Sequence, residues 1–287
     1  MVRKAVIPAA GLGTNFLPAT KAQSKEMLPI VVTPAIQYVV EEAIDSGIED
    51  ILIIIGKGKR AIEDHFDRNP DLERFLDSKE LLDRYHEIRR IGDMANIHYI
   101  RQKEPNGLGD AIRYARQHVG DEPFALMLGD SVIDSVIPVT QQLMDIYEQY
   151  KQSVVAVERL PAEEISRFGV IEGRQINDSL WALTGLVEKP EMDSSPSDLA
   201  IAGRYILNPD IFDAIEATKP DKHGFFQLTD ALEITLQKAD IYAYLIKGKR
   251  YDLGNKLDYL KTNVEFALRD KEIAKEFRSW LKGIVNQ

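Results

Sequence analysis

Short, uninterrupted apolar runs recur along the first 160 residues and are separated by longer stretches with helical periodicity. The runs cover residues 5–10, 51–55, 97–100, 124–128 and 154–157. Apolar runs that do not alternate with polar residues are typical of strands buried on both faces of a parallel sheet. Because helical stretches lie between the runs, the pattern predicts right-handed βαβ units and an α/β fold.

The same pattern predicts where the helices of this half begin and end. Thr33 would cap a helix that has Pro34 at its first position. The charged stretch 59–92 carries apolar residues at helical spacing and predicts two surface helices. Further helices are predicted at about 110–118 and 138–150.

Beyond residue 160 the strands become shorter and no longer alternate regularly with helices. We expect the strands at 169–172, 183–187 and 199–207 to extend the sheet in antiparallel fashion. The remaining elements are predicted as helices at 209–217 and 227–238, a strand at 241–246 and a highly charged helical tail from 255 onward. No repeat or clean boundary interrupts the chain, so the pattern favours one α/β domain.

Charge and composition exclude several classes of function. Lysine and arginine total 36 against 46 aspartates and glutamates, and the net charge of −10 argues against nucleic acid as a partner. The chain has no cysteine, which excludes disulfides and thiolate metal sites. No apolar run approaches the roughly 18 residues of a membrane span, and the first residues lack the pattern of a secretory signal. We therefore expect a cytoplasmic protein with no membrane partner.

A glycine loop follows the first predicted strand and has the chemistry of a phosphate site. Gly11 and Gly13 allow a tight turn that presents backbone N–H groups to an anion, and Lys21 and Lys25 follow. The dinucleotide-binding fingerprint requires a third glycine where this chain has Phe16, and the spacing of a Walker A loop is absent. The loop therefore predicts a phosphate cradle of another kind, although Gly-x-Gly also occurs in ordinary turns.

Two aspartates follow predicted strands and are candidate metal ligands. Asp130 ends the segment LMLGD, and Asp252 lies in the segment YDLGN. Ligands of open α/β sheets bind beyond the carboxyl ends of the strands, and Mg²⁺ prefers carboxylate and phosphate oxygens. The alternative for either residue alone is an aspartate that caps a helix or stabilises a turn.

Several longer segments resemble a known family. PAAGLGT, FLPATKAQ, KEMLPIV and PAIQYVVEEA resemble the sugar-1-phosphate nucleotidylyltransferases, in particular the bacterial UTP–glucose-1-phosphate uridylyltransferases, also called UDP-glucose pyrophosphorylases. VEKP, GRYIL and FQLTDAL extend the resemblance over nearly the whole chain. It implies a Rossmann-like, doubly wound mixed sheet with helices on both faces, as in GT-A-like nucleotidyltransferases, and a helical C-terminal tail. We expect a single domain, 1–287, with a nucleotide-binding half (about 1–150), a sugar-binding half (about 151–254) and the tail (about 255–287).

The resemblance also implies a reaction. A uridylyl group would pass from UTP to α-D-glucose 1-phosphate, giving UDP-glucose and pyrophosphate. Attack would be in line at the α-phosphorus, would depend on Mg²⁺ and would form no covalent intermediate with the protein. Catalysis of this kind depends on positioning and charge neutralisation. Family resemblance further implies a homodimer or homotetramer.

Roles for individual residues follow from the same resemblance. The catalytic group would comprise Lys25, Lys189 and, at the position of a family arginine, Asn15. The nucleotide would contact Ala9, Ala10, Gly11, Gly13, Thr14, Glu26, Gln102 and Gly107, with the Gln102 amide pairing with the base. The sugar phosphate would contact Gly169, Glu188 and Lys189, and Mg²⁺ would be held by Asp130 and Asp252.

Four positions depart from the family pattern. Ser24 replaces a usual proline, Phe225 a usual glutamate and Ser131 an aspartate of many relatives, but Asn15 in place of arginine matters most. Arginine fingers in other phosphoryl transfers are worth about 10³ to 10⁵ in turnover. Loss of such a charge would add on the order of 4 to 7 kcal/mol to the barrier. Three hypotheses therefore remain: a uridylyltransferase that Asn15 slows, a low-activity or non-catalytic paralogue that binds sugar nucleotide and regulates an active partner, and the same chemistry with dTTP.

Overall fold

Thirteen strands and twelve helices form in residues 1–285, the part of the chain that the computed structural model describes. The strands are Lys4–Ala9 (β1), Pro29–Ile30 (β2), Thr33–Pro34 (β3), Asp50–Ile55 (β4), Asn96–Arg101 (β5), Phe124–Met127 (β6), Ser131–Asp134 (β7), Ser153–Arg159 (β8), Gly169–Asn177 (β9), Leu180–Glu188 (β10), Leu199–Leu207 (β11), Ile241–Leu245 (β12) and Lys249–Asp252 (β13). The helices are Ala35–Asp45 (α1), Arg60–Phe66 (α2), Pro70–Ser78 (α3), Leu82–Gly92 (α4), Leu108–Arg113 (α5), Arg116–Val119 (α6), Val139–Tyr150 (α7), Ala162–Ile165 (α8), Asp210–Ala217 (α9), Leu228–Leu236 (α10), Lys256–Ala267 (α11) and Ala274–Val285 (α12).

Nine strands form one mixed sheet in the order β5-β4-β1-β6-β11-β8-β12-β10-β9. Strands β5, β4, β1 and β6 are parallel, whereas β11 runs antiparallel to both β6 and β8. The chain builds outward from β1 to β4 and β5 and then returns to place β6 on the other side of β1. This reversal is the topological switch point at which open α/β sheets bind ligands. The loops after β1 and β6, which carry the glycine loop and Asp130, meet at this point.

Alternation along the central strands supplies two hydrophobic cores, one on each face of the sheet. Ala5 and Ile7 of β1 pack on one face with residues of α1 and α7, and Val6 packs on the other with residues of α5, α9 and α10. Because every position of these strands is covered, the sequence shows no polar alternation. The doubly wound mixed sheet with helices on both faces, predicted from the sequence, is confirmed, as is the helical tail.

Helix boundaries differ from prediction where polar residues support more than one local structure. Thr33 and Pro34 pair as β3 with β2, and no side chain caps α1, so the predicted Thr33 cap is wrong. The stretch 59–92 forms three helices rather than two, because the side chain of Asn69 caps a separate helix that starts at Pro70. The predicted helix at 110–118 is divided into α5 and α6.

A two-stranded ribbon, β7 paired with β13, was not predicted from the sequence. Its antiparallel register places Ser131 opposite Asp252, which brings the loop after β6 beside the segment that follows β13. Both strands are short and carry charged residues, so neither has the apolar run of a central strand.

The division of the chain into two functional halves and a tail stays a prediction. No helix within residues 1–285 is long and apolar enough to cross a membrane.

A buried ion pair fastens α1 to the centre of the sheet. Arg204 of β11 is 1% exposed and donates through Nη2 to Glu42 Oε2 at 2.8 Å. Glu42 also accepts from the backbone N–H and the hydroxyl of Thr140 at the start of α7. The carboxylate therefore joins three elements, and its charge balances a guanidinium that water does not reach.

We predict that Glu42→Gln lowers the free energy of unfolding by about 3–5 kcal/mol, because it leaves the Arg204 charge buried without a counter-charge. Urea unfolding followed by circular dichroism measures this change. Glu49→Gln, a substitution of an exposed glutamate, is the matched control and should alter stability by less than about 0.5 kcal/mol. Equal stability of the two variants would contradict the role assigned to the pair.

Candidate active site

Two adjoining cavities open at the switch point of the sheet. One, of about 650 Å³, extends towards β11 and is called the β11-side cavity. The other, of about 600 Å³, extends towards the end of β5 and is called the β5-side cavity. Gly11, Gly13, Thr14, Lys25 and Asp130 line both cavities. A ligand with two parts could therefore occupy both cavities and have its junction beside Lys25 and Asp130.

The glycine loop folds closely around Lys25. Gly13 has φ +66°, and a Cβ there would lie 3.1 Å from the side chain of Thr20 and 3.2 Å from Lys25 Cβ. A Cβ at Gly11 would lie 3.5 Å from Lys25 Cε. The Thr20 hydroxyl donates to Gly13 O at 2.7 Å and closes the turn. Glycine at position 13 is thus required both by the left-handed backbone and by the close approach of the lysine stem.

Lys25 and Asp130 form an ion pair at the junction of the cavities. Lys25 Nζ donates to Asp130 Oδ2. Burial alone would lower the pKa of Lys25, but the negative charges of Asp130, Glu26 and Asp252 raise it above its ordinary value. Burial would likewise raise the pKa of Asp130, but Lys25 holds it below its ordinary value. Both groups are therefore charged at neutral pH, as charge neutralisation of a phosphate and metal ligation would require.

Asp252 lies beside Asp130 because the β7–β13 ribbon holds the two segments together. The N–H of Leu253 donates to Asp130 O at 3.0 Å, and the Asp252 side chain lines the β11-side cavity. Arg167 donates to Asp252 Oδ2 at 2.8 Å and to Asp258 Oδ2 at 2.7 Å.

The two carboxylates fit a divalent cation that binds mainly to substrate. No cluster of three or more histidine, cysteine or acid side chains suited to a metal occurs within the described residues. Mg²⁺ commonly takes one or two carboxylates and completes its shell with water and substrate phosphates. Asp130 and Asp252 line one cavity and supply oxygen ligands of that kind.

Residues predicted to contact the sugar phosphate meet in the β11-side cavity. A Cβ at Gly169 would lie 3.3 Å from Glu188 Oε2, so the glycine leaves room for this carboxylate. The hydroxyl of Thr229 donates to the same oxygen at 2.6 Å. Lys189 has φ +45°, is largely exposed, and its Nζ lies 3.6 Å from Glu188 Oε1. The arrangement presents carboxylate oxygens for hydroxyl groups and an ammonium for a phosphate.

Residues predicted to contact the nucleotide line the β5-side cavity. They are Ala10, Gly11, Gly13, Thr14, Glu26, Gln102 and Gly107. Ala9, the last residue of β1, is buried and is absent from the lining of both cavities, so its predicted contact has no support from the geometry. Gly107 has φ +103°, and a Cβ there would lie 2.7 Å from Phe226 O. Packing against Phe226 is thus a structural reason for this glycine, and its role towards a base stays a prediction.

Glu26 is held by a network that includes one of the departures from the family pattern. Lys59 Nζ donates to Glu26 Oε2 at 3.1 Å and to Ser24 Oγ at 3.1 Å, and the Ser24 hydroxyl also donates to Glu26. All three residues are buried. Serine in place of proline therefore adds a hydrogen bond that orients a carboxylate of the β5-side cavity.

Asn15 connects the glycine loop to the segment that carries Asp252. Its side-chain Nδ2 donates to Gly254 O at 2.8 Å, and the residue lines the β11-side cavity. Lys21, by contrast, lines a third cavity of about 200 Å³ together with Lys57 and Lys59, and this cavity shares Ala10 and Gln102 with the β5-side cavity. Of the two lysines in the predicted phosphate cradle, Lys25 lines the two cavities of the site and Lys21 lines neither.

Sequence reasoning missed several polar residues of the two cavities. Arg167 and Arg250 line the β11-side cavity, where the Arg250 guanidinium lies 4.2 Å from the ring centroid of Phe168. Thr229 was recognised only as part of the segment FQLTDAL. Arg167 stands two residues before the predicted site residue Gly169, and this position could have identified it, whereas nothing in the sequence links Thr229 to Glu188.

Comparison with known proteins extends these observations. Residues 4–268 match a family model described as Nucleotidyl transferase. A curated relative from Bacillus subtilis (strain 168), named UTP–glucose-1-phosphate uridylyltransferase, is 48% identical over 286 residues, which is 100% of this chain and 98% of the relative. The family match includes every candidate site residue.

Solved structures of similar proteins share the fold. A crystal structure of UDP-glucose pyrophosphorylase complexed with UDP-glucose has a TM-score of 0.86 and 42% identity, and the match covers 94% of this chain and 100% of that one. A structure of UTP-bound UGPase from Acinetobacter baumannii has a TM-score of 0.91 and 35% identity, with coverage of 98% and 99%.

Proposed function

The chain belongs to the nucleotidyl transferase family, and we propose that it transfers the uridylyl group of UTP to α-D-glucose 1-phosphate. The products are UDP-glucose and pyrophosphate. The observation that carries the proposal is the pair of adjoining cavities that share Lys25 and Asp130. One cavity has the residues expected for a nucleotide and the other those expected for a sugar phosphate, as the two substrates of this reaction require.

The reaction joins the two substrates at the junction of the cavities. A phosphate oxygen of glucose 1-phosphate forms a bond to the α-phosphorus of UTP, and the bond from that phosphorus to the pyrophosphate oxygen breaks. Lys25 lies at this junction and contributes a fixed positive charge to phosphate oxygens as negative charge redistributes. No protein nucleophile takes part, because the sugar phosphate itself attacks.

Asp130 and Asp252 would hold the divalent cation, which we propose is Mg²⁺. The cation supplies positive charge to the phosphate oxygens of the nucleotide. Lys25 pairs with Asp130 and Arg167 pairs with Asp252, and these contacts hold both carboxylates in place at the β11-side cavity.

Glu188 and Lys189 orient the second substrate. The Thr229 hydroxyl fixes one oxygen of Glu188, so that the carboxylate is held ready to accept hydrogen bonds from sugar hydroxyls. Lys189 extends from the same strand end and contributes an ammonium for the phosphate of the sugar. Positioning of this kind aligns the attacking oxygen with the α-phosphorus.

We predict that Asn15→Arg raises kcat for UDP-glucose synthesis by at least about tenfold, because it adds a charged, forked donor next to the phosphate loop. Steady-state kinetics of both proteins measure the change. Asn15→Gln keeps a neutral amide and is the matched control, which should show no increase. Unchanged or lower turnover in the arginine variant would show that the Asn15 bond to Gly254 is worth more than the added charge.

Two alternatives to this activity give different results in a direct assay. UDP-glucose is separated by anion exchange after incubation with UTP, glucose 1-phosphate and Mg²⁺, and dTTP replaces UTP in a parallel reaction. The proposal predicts product from UTP at the higher rate. Faster product formation from dTTP would support thymidylyl transfer, and binding of UDP-glucose without any product would support a regulatory paralogue. The homodimer or homotetramer expected from the family is tested by sedimentation.

A further inference from the structure

Gln102, at the end of β5, presents an amide to the β5-side cavity in one defined orientation. Its Nε2 donates to Asp110 Oδ2 at 2.7 Å. Gln102 is 4% exposed and Asp110 is 2% exposed, so water does not compete for this bond. Gln102 Oε1 accepts no hydrogen bond from the described residues, and it is not among their fully buried side-chain atoms without a partner, of which Tyr99 Oη is the example, so it is open to a cavity. Gln102 lines the β5-side cavity and also the 200 Å³ cavity that adjoins it.

Asp110 determines which end of the amide faces Gln102's ligand. Arg113 Nη2 donates to Asp110 Oδ1 at 2.5 Å, so one carboxylate oxygen receives the guanidinium and the other receives Gln102. A carboxylate only accepts hydrogen bonds. The amide nitrogen must then point at Asp110, because the reversed amide would place two acceptor oxygens against each other.

We propose that Asp110 is a specificity-determining residue that fixes the Gln102 amide for a base with an imide N–H, and so selects uracil over cytosine. This inference rests on the proposed use of UTP. Gln102 Oε1 accepts the N3–H of uracil, while the second Nε2 hydrogen can donate to a neighbouring carbonyl of the base. Cytosine has an acceptor at N3 and an amino group beside it, so it requires the reversed amide. Thymine shares the uracil edge, and Asp110 therefore does not separate UTP from dTTP.

The substitution Asp110→Asn tests the proposal with almost no change in shape. Arg113 would retain the asparagine oxygen, which turns its amino group towards Gln102 and favours the reversed amide. We expect the ratio of kcat/KM for UTP to that for CTP to fall by at least about tenfold. Asp121→Asn removes the same charge from an exposed position outside the site and should leave the ratio unchanged.

A double-mutant cycle separates base selection from a structural role. In a Gln102→Ala background the effect of Asp110→Asn on the ratio should disappear, because its action passes through the Gln102 amide. An equal loss of kcat/KM for both nucleotides, an unchanged ratio, or the same change in the Gln102→Ala background would each overturn the proposal. If circular dichroism shows that Asp110→Asn does not fold, Asp110→Ser replaces it with the same expected fall, since a hydroxyl can donate as well as accept.

Calorimetric titration with UTP and CTP distinguishes failure of this inference from failure of the proposed function. A protein that forms no UDP-glucose but binds UTP more tightly than CTP, with the preference lost in Asp110→Asn, would contradict the reaction and retain the inference. A protein that forms UDP-glucose, but whose Asp110→Asn variant keeps its full preference for UTP, would support the reaction and overturn the inference.

Discussion

Lys25→Met lowers kcat/KM for UDP-glucose synthesis by about 10²- to 10³-fold, the loss expected when one preorganised charge or donor is removed from a transition state. Lys25 lies where the two cavities join, and methionine keeps most of its length while removing the charge. Steady-state kinetics with UTP varied at saturating glucose 1-phosphate measure the loss.

The matched control for this variant is Lys79→Met. Lys79 is exposed and lines neither cavity of the site, so its replacement should change kcat/KM by less than about twofold. Similar losses in both variants would mean that general positive charge, rather than the placement of Lys25, supports turnover. Because Lys25 stays charged well above neutral pH, the fall in kcat/KM that Lys25→Met causes should be the same from pH 6 to 9.

The second large effect is expected for Asp252→Asn, with a fall in turnover of about 10²- to 10³-fold and a need for more Mg²⁺. The variant lacks one of the two carboxylates that the metal proposal requires. Titration with Mn²⁺, followed by electron paramagnetic resonance in the presence of UTP, measures metal affinity independently of activity.

Asp258→Asn offers a matched control because the same arginine, Arg167, donates to both aspartates. Asp258 does not line either cavity of the site. If Asp252 serves only to hold Arg167, the two substitutions will reduce turnover equally and leave Mn²⁺ affinity unchanged. A selective loss of Mn²⁺ affinity in Asp252→Asn is the result that supports metal ligation.

The parts of the fold that sequence predicted correctly are those for which one physical requirement dominates. β1 and β4 are covered on both faces, so every residue of each strand after the first is apolar, as expected for buried strands. The β7–β13 ribbon is short and partly charged, and its pairing joins residues that are more than 100 positions apart. Local pattern contains no information about a contact of that kind, and so the ribbon was missed.

The candidate site likewise has residues that the sequence predicted and residues that it did not. Resemblance to the family indicated Lys25, Asp130 and Glu188 as site residues, and the structure brings all three to one cleft. Asp110 and Thr229 act through other side chains, Gln102 and Glu188, and their types and spacing have ordinary explanations in a helix. The role of such residues can be recognised only when the structure shows which side chain each of them contacts.

The central claim is tested most directly by one progress curve for the unmodified protein, in which pyrophosphate release and UDP-glucose formation are measured together. UTP, glucose 1-phosphate and Mg²⁺ are supplied, and each is omitted in turn. We predict that the two products appear in a one-to-one ratio and that omission of any component stops both. Pyrophosphate release without glucose 1-phosphate, or no UDP-glucose with all three components present, would contradict uridylyl transfer as the function of this chain.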